Sequence, residues 1–106
     1  MNKKIMLCNE IKELSNLLDK KYNKEFNFRN HCYLRIAYGN TISDKWDNKI
    51  NKPFVKYADE TQLIHAVGLL NKYVLDKEIL LLHNEKSLDY RRKHNKMKKV
   101  KTNTLF

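Results

Sequence analysis

Ile11, Leu14, Leu18 and Tyr22 recur at three- and four-residue steps, with Leu7 a turn ahead and Leu17 beside them. This spacing constrains the fold more than any other feature, because side chains three and four apart share one stripe of a helix whereas a strand needs alternation. It predicts a helix over about residues 3–23, with Glu10, Lys12, Glu13, Asp19, Lys20 and Lys21 on the outer face as solvated charge. A second stripe, Leu63, Val67, Leu70 and Val74, follows Asp59 and Gln62, which stand at the spacing of a capping box. Gly68 interrupts that stripe. A helix-interior glycine costs about 1 kcal/mol relative to alanine, so Gly68 is expected where another helix approaches closely. Past a turn at Asp76-Lys77, the residues Ile79, Leu82, Lys86 and Tyr90 continue helically with Leu81 and Leu88.

The segment from Asn30 to Ile50 admits two readings. Cys32, Leu34, Ile36 and Tyr38 alternate, and Gly39-Asn40 could turn a hairpin into Thr41-Ile42. Against that, Asn30 suits an N-cap, Gly39 suits the position just past a helix end, and Thr41-x-x-Asp44 resembles a capping box for a second short helix. Ile42, Trp46 and Ile50 would then share one face, whereas an isolated hairpin is only marginally stable. We read two short helices. Pro53 cannot continue a helix from the residues before it, so Asn51 to Val55 is read as an extended connection. The expected fold is mainly α, a small bundle of about four helices with a basic C-terminal extension. The alternative is an α+β fold with one hairpin at about 31–46. At 106 residues one domain is expected, spanning about 1–90, with 91–106 as a basic tail.

Charge separates these two parts. The chain has 22 basic and 12 acidic residues, a formal +10. Arg91, Arg92, Lys93, Lys96, Lys98, Lys99 and Lys101 fall between positions 90 and 101 with no acidic residue among them, which leaves fifteen against twelve, or +3, for the body. On a helix Arg92, Lys96 and Lys99 would line up, and Arg91 and Lys98 would share another line, so the segment could track a phosphate backbone or an acidic protein surface. Like charges at that spacing repel, and a helix here is expected once something neutralises them. Tyr90 and His94 could stack on a base. Arg35, Tyr38 and Trp46 form a second candidate set, since arginine and large aromatics serve as interface anchors. Aromatics of this kind more often fill a core.

Enzymatic chemistry finds little support. Two glycines, Gly39 and Gly68, cannot build a Walker loop or a dinucleotide fingerprint, both of which need clustered glycines for backbone amides to approach phosphates. His31, His65, His83 and His94, with Cys8 and Cys32, lack the paired spacing of a zinc site. Asp44 and Asp47 lie near Trp46 without a histidine partner and read as caps and surface charge. A non-enzymatic protein without metal or cofactor is expected. The apolar run Ile5 to Cys8 is short of the roughly 7–15 residues of a signal h-region, and nothing approaches the roughly 18–20 of a membrane span. Neither cysteine sits in a Cys-x-x-Cys pair, so a reducing, cytoplasmic setting without a membrane is expected.

The stretch His31-Cys32-Tyr33-Leu34-Arg35-Ile36-Ala37-Tyr38, followed by Asn40-Thr41, Asp44-Lys45-Trp46-Asp47, Pro53-Phe54-Val55-Lys56 and Asn84-Glu85-Lys86-Ser87-Leu88, resembles a group of short bacterial and prophage proteins. Some of these carry an acetyltransferase label, which the missing glycine-rich turn for a cofactor pyrophosphate argues against here. The format as a whole, a small lysine- and asparagine-rich single domain without a catalytic constellation, looks like that of phage anti-CRISPR proteins, including those acting on RNA-targeting, type VI effectors. That resemblance implies an inhibitor whose partner is a CRISPR effector nuclease, its guide RNA or both. The alternative is a general nucleic-acid-binding accessory or regulator of a mobile element.

Overall fold

The computed structural model describes residues 2–103, with side chains described through Lys93. Five helices follow one another: α1 (Lys3–Tyr22), α2 (Asn30–Ile42), α3 (Phe54–Tyr57), α4 (Glu60–Leu75) and α5 (Lys77–Asn103). A single 3-10 turn, Trp46–Asn48, lies between α2 and α3, and no strand occurs among the described residues. The fold is mainly α, and the hairpin alternative for 31–46 is overturned.

α1 starts where Asn2 Oδ1 accepts the Lys4 amide at 2.8 Å, an N-cap that satisfies one of the free donors of the first turn. It buries Leu7, Ile11, Leu18 and Tyr22, largely the stripe read from the sequence. α4 starts at the expected capping box: Asp59 accepts from the Gln62 amide at 2.7 Å, and the Asp59 amide donates back to Gln62 Oε1 at 2.9 Å. Its buried face, Leu63, Ala66, Val67, Leu70 and Tyr73, packs on α1 and α2. The hydroxyl of Tyr22 closes this contact by donating to the Tyr73 carbonyl at 3.1 Å.

Residues 30–50 differ from the expectation of two short helices. α2 runs unbroken through Gly39 and ends at Ser43, which takes the left-handed conformation (φ 60°) and donates its amide to the Gly39 carbonyl. Thr41 forms no capping box, because its hydroxyl bonds back to the Ala37 carbonyl at 2.8 Å. The N-cap is Arg29 instead of Asn30. Gly68, expected at a helix crossing, is exposed and a Cβ there would meet nothing within 4 Å. Gly39 has that role, since it is buried where α2 crosses α5. The chain between α2 and α4 is held by an aromatic cluster. Tyr38 stacks on Phe54 with centroids 3.9 Å apart, and Trp46 stands edge-on to both at 5.4 and 5.6 Å. Such pairs are worth about 0.5–1.5 kcal/mol each beyond burial. Pro53 sits in a cis peptide and serves as N-cap of α3.

α5 passes through Tyr90 and continues to Asn103, so the basic segment prolongs a helix that already packs on the body. Lysine and arginine are good helix formers, and adding turns to an existing helix avoids the unfavourable nucleation step. The inward face of α5 is also not the one the apolar pattern suggested. Leu82 and Lys86 are exposed, whereas Leu80 and Ser87 are buried and His83, Asn84 and Arg91 are partly so.

Candidate nucleic-acid interface

Leu80, Asn84, Ser87 and Arg91 follow at three- and four-residue steps, so α5 presents a mostly polar stripe to α2. Polar groups in such a seam need partners, and α2 supplies them. Asn40 Nδ2 donates to the His83 carbonyl at 3.0 Å. Arg35 donates from Nη1 to Ser87 Oγ at 2.8 Å and from Nη2 to Asn84 Oδ1 at 2.9 Å. The planar fork of a guanidinium suits this two-point contact. The helices come close enough for it because a Cβ on Gly39 would already stand 3.4 Å from Ser87 Oγ.

Both acceptors of Arg35 are neutral, so the guanidinium charge is positioned without being compensated. Burial is the main force that lowers its pKa from the ordinary value, Cys32 opposes it, and the nearby Arg91 adds to the lowering. An arginine stays protonated in this setting. Among the described residues neither Arg35 nor Arg91 has a carboxylate partner, while six other basic side chains do. Arg91 follows Ser87 by one turn on the stripe of α5 that faces α2, so two cations, one of them held by a fixed fork, lie along the same seam and are suited to an anion with several acceptor oxygens, as a phosphate has.

The structure therefore joins Arg35, predicted as a secondary candidate, to Arg91 from the basic segment. Arg92 points elsewhere and pairs with Asp89, which raises its pKa. Lys93 is exposed on the same helix. Lys96, Lys98, Lys99 and Lys101 follow on the helical backbone of α5; their side chains, and that of His94, lie outside the described residues. Tyr38 is 6% exposed and stacked in the aromatic cluster, so its ring has almost no surface to offer a partner. Trp46 is partly buried in the same cluster. Asn84 and Ser87, which orient Arg35, were not marked by the sequence pattern, because polar residues at helical spacing read as a solvated face.

Cys8 and Cys32 are free thiols. No three His, Cys, Asp or Glu side chains among the described residues are grouped as a metal site, and no helix there is long and apolar enough to cross a membrane. Comparison of the chain with protein-family models, with curated proteins and with solved structures returns no match.

Proposed function

We propose that the protein is a non-enzymatic inhibitor that binds an RNA-guided CRISPR nuclease through the RNA the nuclease carries. The observation that carries the phosphate contact is the Arg35 and Arg91 pair, without a carboxylate among the described residues and with Arg35 fixed by Ser87 and Asn84. The helical course of α5 past Arg91 supports a contact extended along a backbone, since phosphate binding scales with the number of cations that reach it. The nuclease as target rests on the likeness of format to anti-CRISPR proteins, and with it the host cytoplasm as the place of action.

The test is to mix the full chain with a purified RNA-guided nuclease of the RNA-targeting type, with and without its guide RNA, and to follow target cleavage and co-elution. Loss of cleavage, co-elution with the guide-loaded form, and weakening of both by Arg91→Glu are expected. Unimpaired cleavage would refute inhibition. Nothing in the Arg35 and Arg91 geometry selects one RNA over another, which favours the second reading, a general nucleic-acid-binding accessory. Equal binding to unrelated RNA with cleavage intact would establish that instead.

A further inference from the structure

The connection from α1 to α2, residues 23–29, borders a cavity of about 450 Å³, within the usual range of small-ligand sites. Two phenyl rings line it, Phe26 and Phe28, with centroids 5.2 Å apart and planes tilted by 30°. Each is braced by a buried tyrosine, Phe26 by Tyr22 at 5.3 Å and Phe28 by the edge of Tyr33 at 5.8 Å. The hydroxyl of Tyr33 is buried without a hydrogen-bond partner, and its pKa is pushed up to about 12 by burial and by Asp19, which also lines the cavity.

The polar part of the lining is rich in amides. Asn23 and Asn27 are exposed and their side chains make no hydrogen bond among the described residues. An amide offers both donor and acceptor, which is what the edge of a nucleobase requires, while an aromatic face offers the stacking surface. Arg29 and His31, both exposed, also line it and have no ion pair among the described residues.

The cavity is also in line with the arginine pair. His31 precedes Arg35 by one turn on the same face of α2. α2 and α5 run antiparallel, because Asn40 meets His83 while Arg35 meets Asn84 and Ser87. Arg91 therefore lies toward the cavity end of α2. We infer that the α1–α2 cavity takes one unstacked nucleobase of a single-stranded RNA whose phosphates lie along Arg35 and Arg91, an inference that rests on the nucleic-acid contact proposed above.

The test compares binding of the full chain to a short single-stranded RNA and to the same strand built of abasic residues, followed by fluorescence anisotropy. The intact strand is expected to bind roughly tenfold tighter, the usual effect of one stacked base. Phe28→Ala should remove most of that preference and leave the dependence on salt as in the native chain. Phe28→Ala also removes the ring contact to Tyr33, whereas the exposed Asn27 side chain makes no hydrogen bond among the described residues, so Asn27→Ala is the second variant and should reduce the preference severalfold. Equal affinity of the native chain for both strands overturns the base pocket and leaves the phosphate contact standing. A preference that survives both variants overturns it too, by placing the base elsewhere. Failure to bind either strand removes the nucleic-acid contact and the pocket together.

Discussion

The guanidinium of Arg35 holds Ser87 Oγ and Asn84 Oδ1 at once, at 2.8 and 2.9 Å, across the seam between α2 and α5. One side chain thus ties two helices together and presents an uncompensated charge in the seam where Arg91 follows Ser87 by one turn.

A lysine has the same charge but no planar fork, so it cannot serve both acceptors in this geometry. Arg35→Lys is expected to fold yet lose about 1–2 kcal/mol, the cost of leaving a half-buried polar group unmatched. The midpoint of urea unfolding measures this; an unchanged midpoint would mean that the seam is held by other contacts.

The two glycines should behave in opposite ways. Gly68 is exposed inside α4 with open space around its Cα, so Gly68→Ala gains helix propensity of about 1 kcal/mol and should raise the melting temperature by about 4 °C. Gly39 faces Ser87, and Gly39→Leu should force α5 away and lower the melting temperature. Thermal unfolding by circular dichroism distinguishes them, and a stabilised Gly39→Leu would contradict the close crossing.

α1 and α4 were legible because Leu7, Ile11, Leu18, Leu63, Val67 and Leu70 are apolar and periodic, and their caps are local in sequence. The face of α5 was not. Its inward stripe carries Asn84, Ser87 and Arg91, which pattern alone assigns to solvent, and Leu82, which pattern assigns to the core, is 55% exposed. The close crossing falls at Gly39, which pattern assigns to a helix end, and not at Gly68, for a related reason: both lie inside helices, and only the packing of a distant helix shows which one needs to lack a Cβ. Arg91 was legible as a cation, but its neighbour Arg35 lies on another helix and is joined to it only by the fold.

His83 accepts from or donates to Tyr73 Oη through Nδ1 at 2.7 Å, and its pKa is lowered, first by burial and then by Lys86, Lys72 and His65. The unfolded chain therefore binds the imidazole proton more readily than the folded one. Stability from this group is present above about pH 6.5 and is lost as the pH falls through that value toward the lower folded-state pKa. Unfolding midpoints measured from pH 7.5 down to pH 5.5 should decline, and His83→Gln should flatten the decline in this window. An unaltered slope in the variant would assign the acid sensitivity to other groups.

The most direct test of the arginine pair as a phosphate contact is the salt dependence of binding to single-stranded RNA, measured for the native chain and for Arg91→Gln. Arg91 makes no hydrogen bond among the described residues, so its loss should leave the fold intact, as circular dichroism would verify. The logarithm of the association constant should fall with the logarithm of salt concentration, and the variant should show a slope shallower by about 0.7, one phosphate contact on a single strand. An identical slope in the two proteins, or no measurable binding by the native chain at low salt, would contradict the contact.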